Sequence, residues 1–296
     1  MASSCCEVVE YLPLLNRDFT AMVAYAARIG MSPAVTTNGS LLTPKRIDVL
    51  VDAGLAKVCI SIDAATASVH DDNRGLRGVS ERIRRANVAL KQRGISVTAS
   101  VTMSRLVDYA VLPEALRDLA FGAVTFAYPL RNLRSSFLAH AESPLVEFTP
   151  EELCDAFEAV ERVREHFPVL NPTPSIRDMQ RHVRGEPELF ECLGGWKSFY
   201  LDWHLKLWRC LDWDRPMCDI RDFDGTQRMR DRCTACMVDC YRDSSVMQHV
   251  GVAMSDGIHA AARGDLRQAW AHWMDRRNVV SVRAAMHTLG IWRRAP

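Results

Sequence analysis

Short β-branched runs alternate with longer stretches of helical periodicity through the front of the chain. Residues 34–37 (Ala-Val-Thr-Thr), 57–62 (Lys-Val-Cys-Ile-Ser-Ile), 96–102 (Ser-Val-Thr-Ala-Ser-Val-Thr) and 123–127 (Ala-Val-Thr-Phe-Ala) predict short buried strands. Between them, 44–53, 79–93 and 112–119 place apolar residues at helical spacing. Residues 18–29 predict a helix ahead of the first of these strands, with Gly30 just past its end. Strands and helices alternating through short turns imply right-handed crossovers and a parallel sheet. The predicted class is α/β, an open sheet or a barrel.

This regularity ends near residue 170. Residues 169–176 read Val-Leu-Asn-Pro-Thr-Pro-Ser-Ile, and two prolines that cannot continue a helix make this the best linker candidate. Behind it lies a stretch rich in Cys and Trp, and from Asp256 a helical tail rich in Ala, Arg and Trp. The predicted organisation is 1–170, 171–250 and 251–296.

Charge narrows the partners. Among 296 residues, 37 Lys+Arg face 36 Asp+Glu, a formal net charge of +1. That balance lacks the electrostatic attraction on which a general nucleic-acid or anionic-membrane binder depends. No window approaches the roughly 18 consecutive apolar residues of a membrane span, and residues 1–20 show no basic segment followed by an apolar one. The expectation is a cytoplasmic protein without nucleic-acid or membrane partners. Arg82-Ile-Arg84-Arg85 and the 228–232 run alternate with acids and read as solvated helix faces.

In parallel sheets, chemistry gathers on the loops at the carboxyl ends of the strands. Thr37-Asn38-Gly39, Ser61 with Asp63, and Thr102-Met103-Ser104 stand at three such ends. Each is also ordinary turn chemistry: Asn-Gly forms turns, and Asp after a strand often opens a helix. His70 and His140 are lone histidines, read as structural or exposed.

Six of the ten cysteines, Cys192, Cys210, Cys218, Cys233, Cys236 and Cys240, fall in the rear stretch. Reduced cytosolic thiols in a cluster suggest a metal before they suggest disulfides. Cys233-x-x-Cys236-x-x-x-Cys240 lets three thiolates wrap one centre from a turn running into a helix, with Cys210, Cys192 and Cys218 flanking. Thiolates suit zinc and iron–sulfur alike, so a structural zinc stays open beside a cluster. Trp196, Trp203, Trp208 and Trp213 crowd the same stretch and read as packing that shields it from water.

Together, Met31-Ser-Pro-Ala-Val-Thr-Thr-Asn-Gly-Ser-Leu-Leu-Thr, then Val58-Cys-Ile-Ser-Ile-Asp, then His70-Asp-Asp-Asn-Arg-Gly, resemble the middle of a radical S-adenosylmethionine (radical SAM) enzyme. The resemblance runs from about Pro13 to Thr102 and more weakly to Leu130. It implies a partial (β/α)6 barrel of TIM type, a [4Fe–4S] cluster, and reductive cleavage of S-adenosylmethionine to a radical. Carried over by position, it implies cofactor-binding roles for Asn38, Ser61, Asp63 and Arg74.

Two features depart from that pattern. The family's cluster motif, Cys-x-x-x-Cys-x-x-Cys, occurs nowhere in this sequence, and adjacent Cys5-Cys6 cannot replace it with family geometry. The family's Gly-Gly-Glu-Pro is matched only at Pro13 of Glu10-Tyr11-Leu12-Pro13. The expectation is a barrel lacking its first strand and an inactive or truncated chain.

The rear order, Cys192, Gly195, a hairpin of 199–203 with 206–210 around His204, then Cys210, Cys218, Cys233, Cys236 and Cys240, resembles the SPASM or twitch auxiliary-cluster module. That resemblance implies an auxiliary [4Fe–4S] cluster on these six cysteines, a peptide or small-molecule substrate, and an electron donor. The alternative is a non-enzymatic scaffold that holds zinc or an iron–sulfur group.

Overall fold

The computed structural model describes residues 5–9, 13–130 and 143–294. Glu10, Tyr11, Leu12 and His140, and the side chains of Cys5 and Cys6, lie outside the described set. The front elements run β1 (Cys5–Val9), α1 (Phe19–Arg28), β2 (Ser32–Thr37), α2 (Pro44–Asp52), β3 (Lys57–Ile62), α3 (Ala67–Arg74), α4 (Val79–Gln92), β4 (Ser96–Thr102), α5 (Leu112–Asp118) and β5 (Ala123–Ala127). They are followed by α6 (Pro150–His166), α7 (Thr173–Val183), β6 (Tyr200–Leu201), β7 (Lys206–Trp208), β8 (Cys218–Asp219), α8 (Asp239–Ala262), α9 (Leu266–Trp273) and α10 (Arg277–Arg294).

Two compact units emerge, one of residues 1–126, 158–170 and 290–296, the other of 127–157 and 171–289. The first is built on a five-stranded sheet in the order β1-β2-β3-β4-β5, with β1 through β4 mutually parallel. Sequential order in a parallel sheet requires a helical crossover between neighbours, which the alternating sequence pattern supplies. The α/β expectation is met, and the sheet agrees with a partial TIM-type barrel.

Strand β3 shows why the sheet has two unlike faces. Val58, Ile60 and Ile62 are buried while Lys57, Cys59 and Ser61 are half-buried, a strict period of two. Val35, Val97, Ala99 and Val101 join the buried face, and Ile47, Leu50, Ile83 and Leu90 of α2 and α4 supply buried apolar side chains to the same unit. In register on the other face lie Thr36, Cys59 and Thr98 in one row, and Ser61 beside Ser100 in the next. The strands are therefore apolar on one face and small and polar on the other.

Helix starts follow local chemistry. Thr43 caps α2 by accepting the Arg46 N–H at 3.3 Å, and Pro44 takes the first turn, where its missing N–H costs nothing. The two prolines read as linker residues do the same for α7: Pro172 stands at its N-cap and Pro174 in its first turn. Within 169–176, residues 169–172 precede the helix, and Val169 forms a parallel bridge with Val124. Prolines that cannot continue a helix can begin one.

In the second unit β6, β7 and β8 form a small sheet in which both pairs are antiparallel. The expected hairpin is present, with Tyr200 opposite Trp208 and Leu201 opposite Leu207. The left-handed turn position belongs to Leu205, at φ 59°, and not to His204. Asp202 stabilises the turn by accepting the His204 and Lys206 N–H groups and the Trp208 indole N–H at 2.8–2.9 Å. Among the described residues no helix is long and apolar enough to cross a membrane.

Candidate functional site

The sheet exits carry the first candidate site. Thr37 pairs with Ile60, so Asn38, the first residue past β2, follows at the level of Ser61, which is still within β3 and in register with Ser100. Gly39 makes the turn after β2 at φ +76°, and a Cβ there would stand 2.8 Å from Ile83 Cγ1. Only glycine fits both the conformation and the space. Asn38 Oδ1 accepts from the Ser40 N–H and hydroxyl at 3.0 and 2.8 Å, closing an Asx turn.

At the β3 exit the Asp63 carboxylate accepts from Arg74 Nη2 at 2.5 Å and from Asn73 Nδ2 at 2.7 Å. Two residues predicted to face a cofactor thus form an ion pair with each other. His70, 1% exposed, accepts the Asp63 N–H on Nδ1 at 3.2 Å. A ring nitrogen that accepts is unprotonated, so the neutral ring carries its proton on Nε2. Burial lowers the His70 pKa and favours this neutral form. His70 Nε2 and Arg74 Nε are buried without a partner among the described residues. The lone histidine is thus part of the β3 exit, and Asn73 with it. The aligned Thr36, Cys59, Thr98 and Ser100 were also not singled out from the sequence, although the alternation within 57–62 and 96–102 carries their signal.

The rear cysteines make the second candidate site. Cys210, Val238 and Tyr241 form a buried cluster, with Cys192, Cys236, Leu130, Leu211 and Trp213 packed against it. Burial is the main cause that pushes the Cys210 thiol up to about 11 and the Cys236 thiol up to about 12, and neighbouring thiols add to it. Cys233 and Cys240 lie within electrostatic reach of Arg209 and Tyr241 respectively. Cys218 has Asp219, Asp222, Asp224 and Lys206 among its charged neighbours. Cys192, Cys210 and Cys236 are thus gathered in one buried cluster.

All six are free of disulfides. Buried thiols that raise one another's pKa are the donor type a cationic centre stabilises, so the donor chemistry fits a thiolate-held metal. The spacing does not close: among the described residues no three His, Cys, Asp or Glu side chains stand near enough together to hold an ion as placed.

The 228–232 run is not a helix face. Arg230 donates to Glu191 and Asp256 and lies 4.3 Å over the Trp196 ring, and Arg209 lies 4.7 Å over Trp213. Alternating signs encouraged the helical reading, but the acids that matter come from distant segments.

A parallel α/β sheet with polar exits and a separate cysteine-rich unit define a class of fold, and comparison with known proteins narrows it. Residues 12–118 match the model of the Radical SAM superfamily. The chain is 31% identical over 93 residues to the AdoMet-dependent heme synthase of Oleidesulfovibrio alaskensis, covering 31% of this chain and 24% of that protein. It is 32% identical over 93 residues to the PqqA peptide cyclase of Methylocella silvestris, covering 31% of this chain and 25% of that protein. The chain therefore spans about a quarter of the length of these two relatives. Streptococcus suis SuiB, solved with its precursor peptide SuiA, shares the fold with a TM-score of 0.53 at 11% identity, over 81% of this chain and 59% of that one. These matches support the radical SAM superfamily for the front of the chain, a superfamily whose members hold a [4Fe–4S] cluster and S-adenosylmethionine.

Proposed function

We propose that this chain is an iron–sulfur protein of the radical SAM superfamily, of the branch with a SPASM- or twitch-like auxiliary module, acting with a peptide or small-molecule substrate and an electron donor. The single observation that carries the reading is the alignment of Asn38, Ser61 and the Asp63–Arg74–His70 network at adjacent strand exits, within the stretch that matches the superfamily. Similarity to a peptide cyclase supports the peptide option.

In this reading Asn38, Ser61 and Arg74 bind and orient S-adenosylmethionine, while Asp63 holds Arg74 in place. The buried donors His70 Nε2 and Arg74 Nε lack an acceptor among the described residues, and a carboxylate or ribose oxygen is the kind of acceptor they need. When bound, the superfamily's cluster supplies the electron that cleaves the cofactor. No Cys-x-x-x-Cys-x-x-Cys occurs in this sequence, so we infer that this polypeptide by itself binds the cofactor without cleaving it. Residues 1–170 serve the cofactor, 171–250 hold the auxiliary centre through Cys192, Cys210, Cys218, Cys233, Cys236 and Cys240, and 251–296 form the helical tail. The proposed location is cytoplasmic.

Anaerobic purification with iron, sulfide and zinc analysis, and calorimetric titration with S-adenosylmethionine, test the reading. Iron with sulfide, and binding that Ser61→Ala with Arg74→Gln abolishes, are expected. Stoichiometric zinc, no visible absorption and no cofactor binding would instead establish the non-enzymatic scaffold.

A further inference from the structure

Charged residues adjacent to the cysteines pair with charged residues adjacent to other cysteines. Arg209 precedes Cys210 and is 1% exposed. Both of its terminal nitrogens donate to the Asp231 carboxylate, two residues before Cys233. Glu191, next to Cys192, accepts from Arg230 and lies 3.7 Å from Arg232 Nε. Arg242, two residues after Cys240, donates to the Phe190 carbonyl at 2.9 Å and to Asp178 at 3.2 Å. The Leu193 N–H donates to Ser245 at 2.9 Å, so Cys192 is tied to α8 from both sides. Asp219, next to Cys218, pairs with Lys206 and Arg221, within or beside the small sheet.

Arg209 is the most constrained of these groups. Its guanidinium lies over Trp213, and its stem passes Gly195, where a Cβ would come within 2.7 Å of Arg209 Cγ. A two-pronged Arg–carboxylate pair fixes direction as well as distance. A buried charge is tolerable only while its partner stays in place. The pair therefore sets where the Cys233 loop lies relative to Cys210, whatever the thiols do.

We propose that Arg209 is a positioning residue of the cysteine centre, holding the Cys233 loop against Cys210 through Asp231. The proposal rests on the metal-binding reading of these cysteines.

Cobalt(II) is the probe, titrated anaerobically into the full chain while the thiolate-to-cobalt charge-transfer band is followed. Wild type develops the band. Asp231→Asn, at a side chain 49% exposed, weakens cobalt affinity roughly 10- to 100-fold, the usual range for groups that orient ligands. It also lowers the band intensity per bound cobalt, because Cys233 drops out. Asp231→Glu recovers part of both. A merely structural pair would lower the unfolding midpoint and leave the intensity per cobalt unchanged, which would overturn the proposal. Should Asp231→Asn fail to fold, Arg209→Lys decides: it keeps the charge and loses the fork, and wild-type affinity and intensity there would equally overturn it. No band in the wild type would sink the metal reading and the proposal together. A wild-type band with a wild-type-like Asp231→Asn would sink the proposal alone.

Discussion

The polar groups at the sheet exits and those around the cysteines are satisfied in opposite ways. At the exits partners are near in sequence: Asn38 serves Ser40, and Asp63 serves Asn73 and Arg74 within a dozen positions. In the cysteine unit they are far apart: Arg242 reaches Asp178, Arg230 reaches Glu191, and Asn171 reaches Asp243. A local network forms wherever its own short segment folds. A distant one holds its geometry only through the whole unit, and losing a member leaves a buried charge or amide unpaired.

The largest expected effect comes from the distant kind. Asp178, 0% exposed, accepts Arg242 and the Leu189 and Phe190 N–H groups. Asp178→Ala is expected to cost about 3–5 kcal/mol in urea unfolding, the usual penalty for stranding a buried ion. A loss below about 1 kcal/mol would remove the contrast between the two regions. Next comes Gly39→Ala, where positive φ and the approach to Ile83 combine. About 2 kcal/mol is expected, from backbone strain with some overpacking, and an unchanged midpoint would mean that the β2 exit has another shape.

Asn38→Ala removes only an Asx turn, and about 1 kcal/mol is expected in the same assay. If it matched Asp178→Ala, sequence distance would not be what separates the regions.

The smallest effect is a slope. Burial lowers the His70 pKa below 6.5, with Arg74 adding to the shift while Asp63 and Asp71 oppose it. Below pH 6.5 the unfolded chain binds the proton more readily than the folded one, so this contribution is full above that pH and lost as pH falls. His70→Gln, whose amide oxygen can still accept the Asp63 N–H, is expected to flatten part of the stability loss between about pH 7 and 5. His249, also lowered chiefly by burial, keeps its own share. An unaltered slope would show that His70 is not buried as a neutral ring.

The bounds of β3, β4 and β5 agree with the apolar runs in the sequence, because a buried strand writes its own pattern. Strand β2 begins earlier than its pattern suggests, at Ser32, because pairing of Cys5 and Cys6 with Ser32 and Pro33 extends it through a proline. Asn38, Ser61 and Asp63 were legible as strand-exit residues because each stands at a fixed offset from a strand end, whereas Arg74 entered only through the family resemblance. That Asp63 and Arg74 bind each other was not legible, since offsets place residues without aiming them.

In the rear, spacing made the cysteines conspicuous but could not say which of them share a neighbourhood. The turn residue shows the same limit. The hairpin expected around His204 is there, but the register set by Asp202 and Lys206 puts Leu205 in the left-handed position.

The sequence alone determined the parallel α/β class, the polar strand exits and a thiol-rich rear, because hydrophobic period and turn chemistry act over a few residues. Only the tertiary structure decided that Cys192, Cys210 and Cys236 share one buried cluster, that Arg209 and Arg230 knit cysteine loops, and that His70 is a buried neutral ring. Those outcomes depend on which distant segments share a low-dielectric interior, where an ion without its partner is too costly to keep.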